Sequence, residues 1–126
     1  MLRLLMIVSG AFEAAFGASA LLTPNMVIDA LGTGSGLSAV FFARILGAAT
    51  LALGVAALLA RNALATSGGL AVAYGLTLYN VLAGALIIWT ASSGAGSASL
   101  WAAGLFHALI GALFVYALAV NGKSPG

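Results

Sequence analysis

Four polar side chains stand apart in this sequence: Glu13, Arg44, Asn80 and His107, one in each of four long apolar runs. A carboxylate, a guanidinium, an amide and an imidazole are groups that hold a polar ligand, pair an ion or move a proton. They occur in a chain with only four Lys or Arg and two Asp or Glu. Glu13 sits in Gly10-Ala-Phe-Glu13-Ala-Ala-Phe-Gly17, at the middle of the apolar stretch 4–22. A charge at the centre of a bilayer costs about 2.5–3.5 kcal/mol on insertion scales, so such a residue points to function or to a neutralising partner.

The elements that must position these groups follow from composition. Hydrophobic residues make up 63% of the 126 and charged residues 5%, with a mean hydropathy of +1.22. A soluble domain is about 45–50% apolar and about 25% charged, so lipid is the expected solvent. A bilayer span needs about 20 apolar residues, and four spans with short loops fill one domain, 1–126. The expected fold is an all-α integral membrane protein, an antiparallel bundle of four transmembrane helices near 2–22, 38–60, 66–89 and 100–120. A net charge of +2 without a basic cluster argues against nucleic acid. The chain has no cysteine, which excludes disulfides, a thiolate nucleophile and a Cys-ligated metal.

Met1-Leu2-Arg3, an apolar run and Ala18-Ser19-Ala20 resemble a secretory signal with its cleavage site. Glu13 within the apolar core argues against that reading, and the stretch is expected to be the first transmembrane helix. Thr23-Pro24 suits the start of a new helix, with Thr as cap and Pro in the first turn, and Gly32 suits its end. Residues 24–31 thus read as a short interfacial helix. Residues 32–36 form a glycine-serine connector, and 92–99 form a Gly/Ser/Ala loop flanked by the interface aromatics Trp89 and Trp101. Arg3, Arg61 and Lys123 fall on one side of a four-span topology. The positive-inside rule then places both termini in the cytoplasm, in a bacterium at the inner membrane, with the short helix outside.

Counting 1.5 Å per residue, the four polar groups lie between the midplane and the outer third. Mostly small residues share their helix faces: Gly10, Ala14 and Gly17 with Glu13; Gly47, Ala48 and Gly54, along with Leu51, with Arg44; Thr77, Ala83 and Gly84 with Asn80; Gly104 and Gly111 with His107. Small residues mark the packing faces of membrane helices, so the four groups are expected to converge. One reading is structural, a Glu13–Arg44 ion pair completed by Asn80 and His107. The other is a ligand site made of the same four residues. His107 alone could bind a haem or chlorophyll metal, but a single histidine excludes bis-histidine ligation, and a hydrogen-bonded core role is favoured. Asn80 with Tyr79 reads as interhelical hydrogen bonding. No nucleophile with its base, phosphate loop or metal motif is present.

The residues Leu22-Thr-Pro24, Leu31-Gly32, Ala43-Arg44-Ile-Leu-Gly47-Ala48 and Gly54 resemble the DoxX-like group of small four-helix membrane proteins, over roughly the first half of the chain. The resemblance implies an antiparallel four-helix bundle. Some members of the group are small subunits associated with quinone-linked oxidoreductases. Only Arg44 and the Pro24/Gly32 turn carry over, and no catalytic role comes with them. Size, helix number and an early glutamate are also similar to small multidrug-resistance transporters. The chain departs from those in its longer first outer loop, in Arg44, and in lacking a tryptophan inside helix three. An arginine beside Glu13 would hold the carboxylate ionised and weaken proton exchange.

The expected function is that of a non-catalytic membrane protein. It would act as an accessory subunit or homo-oligomer, or as the binder of a lipid- or quinone-like molecule through Glu13, Arg44, Asn80 and His107. No metal and no fixed cofactor are expected. The alternative is a proton-coupled transporter using Glu13. A third reading, an enzyme with His107 as general base, lacks a nucleophile or metal to go with it.

Overall fold

In a computed structural model, residues 1–32, 36–95 and 97–121 are described. Most of the glycine-serine connector, one residue of the 92–99 loop and the tail with Lys123 lie outside these. The described residues are helical, with no strand among them. The elements are α1 (Leu2–Leu22), α2 (Pro24–Leu31), α3 (Leu37–Ala60), α4 (Ser67–Thr90) and α5 (Ala98–Asn121). Four of these helices are long and apolar enough to cross a membrane. At 1.5 Å per residue even the shortest reaches about 31 Å, against a hydrocarbon core of about 30 Å. Large apolar side chains cover the outside; Leu22, Leu59 and Trp89 are each more than 70% exposed. A surface of this kind fits a multi-pass membrane protein and would aggregate in water.

The helix ends have local causes. Pro24 opens α2, and Gly32 closes it at φ +70, donating its N–H to the Ile28 and Asp29 carbonyls. That left-handed conformation is inexpensive only for glycine. Thr23 does not cap α2 as its type suggested. Its hydroxyl turns back and donates to the Ser19 carbonyl of α1 at 3.0 Å. Caps appear instead on the later helices. Thr66 Oγ1 accepts from Gly69 N at 3.1 Å, and Ser97 Oγ accepts from Leu100 N at 3.1 Å. Ser97 also donates to the Leu31 carbonyl at 3.3 Å, tying the end of α2 to the start of α5. Arg61 donates to the Leu58 carbonyl at the end of α3. After α4 the chain winds loosely through Ala91–Ala95 and turns at Gly94, φ +96.

Glycine sets the packing. Helices α1 and α3 touch backbone to backbone: a Cβ added to Gly54 would stand 2.6 Å from the Gly10 carbonyl oxygen, and one on Gly47 2.8 Å from that of Gly17. Helices α4 and α5 do the same, a Cβ on Gly84 standing 2.7 Å from Ala108 N. Where lipid replaces water, close van der Waals packing between small residues is what holds helices together. The two pairs meet through an apolar core at the end that holds the start of α1 and the end of α5. Met6, Leu76 and Phe114 are fully buried there, with Leu2, Leu5, Ala57 and Ile110 around them. Toward the opposite end the pairs diverge around a cavity.

Candidate functional site

Where the apolar core gives way to the cavity, three helices bring polar groups together. Asn80 of α4 is fully buried, and its Nδ2 donates to the Leu76 carbonyl at 2.8 Å and to Ser9 Oγ of α1 at 3.2 Å. A carbonyl oxygen only accepts, so the Leu76 bond fixes which way the amide points. Asn80 Oδ1 therefore faces His107 Nδ1 of α5, 2.9 Å away. With an acceptor opposite it, Nδ1 carries the proton.

Glu13 of α1 is fully buried beside this chain of bonds. Its Oε1 lies 3.7 Å from His107 Nδ1, beyond hydrogen-bond reach, and neither carboxyl oxygen has a hydrogen-bond partner among the described residues. The Tyr79 hydroxyl lies near enough to interact with the carboxyl, but outside hydrogen-bonding geometry. Aromatic rings enclose the imidazole edge to face. Phe12, Tyr79 and Phe106 have ring centroids 5.8, 5.5 and 5.7 Å from that of His107. Such a shell removes water from the site and fixes the ring plane.

Arg44 is not part of the cluster. It is exposed and makes no ion pair with Glu13. The buried face of α3 is Gly47, Thr50, Gly54 and Ala57, whose centre lies about 100° around the helix from Arg44 at 3.6 residues per turn. The expected face, with Ala48 and Leu51, was rotated: Ala48 is exposed and Leu51 half-buried, while Thr50 is buried. A long cationic side chain near the start of α3 is free to reach the bilayer surface. The expected Glu13–Arg44 ion pair is therefore absent. Glu13, Asn80 and His107 do converge, and Ser9 joins them unanticipated. Its signal was available, since Ser9 stands one helical turn from Glu13 on the same face.

The cavity above the cluster measures about 580 Å³, within the range of ordinary small-molecule sites. Phe12, Phe16, Leu46, Leu86 and Ile87 form its walls, Met26, Val27 and Leu31 of α2 its cover, and Tyr79 and His107 its polar floor. Three hydroxyls line the upper walls, and each donates to its own helix: Ser19 to the Ala15 carbonyl, Thr23 to that of Ser19, Thr90 to that of Leu86. A second depression of about 570 Å³, between α1, α2 and α3, is lined among the described residues only by apolar side chains. It offers nothing to orient a ligand. Among the described residues no three His, Cys, Asp or Glu side chains gather as a metal site requires.

The arrangement can therefore seat an apolar body against Phe, Leu and Ile walls and hold its polar end at Tyr79 and His107, with Asn80 and Glu13 behind the imidazole. Comparison with protein-family models, curated proteins and solved structures returns no match.

Proposed function

We propose that the chain is a non-catalytic integral membrane protein that binds a lipid- or quinone-like molecule in the cavity between α1 and α4, as a small accessory component of the membrane. The observation that carries this reading is the polar floor, Tyr79 and His107, at the bottom of a cavity of about 580 Å³ whose other walls are apolar side chains and three hydroxyls already bonded to their own helices. His107 lies near the middle of α5, so a charged phospholipid headgroup would have to travel to mid-bilayer to reach it, at a cost of several kcal/mol. A weakly polar head on an apolar body meets no such barrier. In this reading the four long helices form an antiparallel transmembrane bundle of the DoxX-like kind. Both termini are cytoplasmic and α2 lies on the outer interface as a cover. Arg3, Arg61 and Lys123 support that orientation.

The test is native mass spectrometry of the protein extracted from its own membrane in mild detergent. The expected result is a one-to-one adduct with the mass of an uncharged lipid or quinone, alone or within a larger membrane complex. A spectrum of bare protein at every activation energy rejects the reading.

A specific observation favours a second reading. The arginine that would have held Glu13 ionised stands away from it, which removes the main objection to proton-coupled transport with Glu13 as the coupling group. Flux of candidate cations into reconstituted vesicles under a pH gradient, lost in Glu13→Gln, would establish it. Equal flux in both proteins would exclude it.

A further inference from the structure

We infer that the cavity selects a ligand whose polar head is a hydrogen-bond donor, an alcohol or phenol hydroxyl, over a carbonyl, ether or carboxylate head. The inference rests on the proposed reading of the cavity as a binding site, and adds the chemical class of the head.

The argument begins at Asn80. Its two N–H groups are committed to the Leu76 carbonyl and Ser9 Oγ, so Oδ1 is the atom facing His107, at 2.9 Å. His107 Nδ1 is then the donor. The imidazole bonds to the neutral amide rather than to the carboxyl of Glu13, which stays at 3.7 Å. An imidazolium would be drawn to the carboxylate as the stronger, charge-assisted partner, so the geometry is that of a neutral ring. In a neutral imidazole with its proton on Nδ1, Nε2 carries a lone pair and can only accept. Nε2 has no hydrogen-bond partner among the described residues, and it is not among the sealed-off atoms. His107 lines the cavity, and Nε2, the ring nitrogen not bonded to Asn80, is the atom it has left to offer there.

The walls follow the same rule. Ser19, Thr23 and Thr90 have each donated their hydroxyl protons to backbone carbonyls, which leaves only lone pairs toward the cavity. Among the described residues Tyr79 is the single lining side chain with an uncommitted proton, and the Glu13 carboxyl stands beside that hydroxyl as a competing acceptor. Among the described residues no lysine or arginine lines the cavity. A carboxylate head would find no cation and would approach Glu13. A carbonyl or ether head would place its lone pairs against that of Nε2. A hydroxyl head donates to Nε2 and satisfies it.

The test uses the purified full chain in mild detergent, titrated by native mass spectrometry with matched probes. Dodecanol, dodecyl methyl ether and lauric acid form one series; a decyl-substituted benzoquinol and its benzoquinone form the other. Loss of one neutral hydrogen bond at a buried site corresponds to about ten-fold in affinity. Dodecanol and the benzoquinol should bind about ten-fold more tightly than their donor-free partners, and lauric acid, at a pH where it is ionised, more weakly than the other two members of its series. The tighter of dodecanol and the benzoquinol identifies an aliphatic or a phenolic source. In His107→Phe the preference should collapse to equal binding. Should that variant fail to fold, the wild-type ratios decide alone. If ether and alcohol bind equally, the cavity binds ligands but the donor rule is wrong. If no probe forms a one-to-one adduct, the binding reading fails and the donor rule falls with it.

Discussion

Asn80 Oδ1 and His107 Nδ1 lie 2.9 Å apart across the seam between α4 and α5, in a pocket from which bulk solvent is excluded. The bond joins the only histidine of the chain to an amide whose other two contacts reach along α4 and across to α1. Three helices are thus locked by one side chain. Buried polar groups of this kind are expensive to leave unmade.

Replacing Asn80 by Leu removes that junction. His107 Nδ1, Ser9 Oγ and the Leu76 carbonyl all lose a partner, so the expected loss of stability is about 1–3 kcal/mol. Asn80→Asp returns an acceptor for His107 but no donor for Ser9 or Leu76, and should recover only part of it. Thermal unfolding in detergent, followed by helical circular dichroism, ranks the three proteins.

Glu13 behaves oppositely. Its carboxyl oxygens have no hydrogen-bond partner to lose, and a buried carboxylate is itself costly. Glu13→Gln is expected to melt at or above the wild-type temperature. A fall of several degrees would mean that the carboxylate has a stabilising partner, such as an ordered water or ion.

Arg44→Leu tests the position of the guanidinium. Because Arg44 stands exposed on the flank of α3, about 100° around the helix from its buried face, the variant should keep both the fold and the lipid adduct in native mass spectra. Loss of the adduct would restore Arg44 to the site.

The glycine seams give a sharp pair of variants. Gly54→Ala drives a methyl to 2.6 Å from the Gly10 carbonyl oxygen, and overpacking of this kind costs about 1–3 kcal/mol. Gly75 has open space where its Cβ would be, and Gly75→Ala should gain about 0.5–1 kcal/mol from helix propensity alone. Unfolding of the two proteins side by side separates packing from propensity.

Ser97→Ala cuts the bond from α5 to the Leu31 carbonyl at the end of α2. With the cover released at one end, exchange of a bound probe should quicken several-fold, while loss of the cap on Leu100 N lowers stability by about 1 kcal/mol; Thr in place of Ser97 keeps the hydroxyl and should restore both. Stopped-flow displacement measures the rate, and an unchanged rate would show that the probe enters from the side.

Much of the fold was legible because the signals were strong. The four apolar runs, Pro24 and Gly32 mark helices whose observed ends lie within two residues of their expected positions. The convergence of Glu13, Asn80 and His107 followed from depth and from the small residues beside them. Arg44 was misplaced for a physical reason. In a helix of nearly uniform apolar character, Gly47 and Gly54 fit two adjacent faces. Only Thr50, whose hydroxyl bonds back to the Leu46 and Gly47 carbonyls and so hides its polarity, distinguishes them. The cavity itself was not legible, since it arises from how two helix pairs diverge and not from any local pattern.

The glycine contacts make each pair, α1 with α3 and α4 with α5, a nearly incompressible bar. The bars are clamped by Met6, Leu76 and Phe114 at one end and spread at the other, so the molecule has the mechanics of a pair of tweezers. At the spread end the bars are joined through α2 by the bond from Ser97 to the Leu31 carbonyl, and the polar cluster lies where the clamp gives way to the cavity. In a bilayer, a guest could then be admitted by a change of angle between two rigid bars, with no change inside either glycine seam.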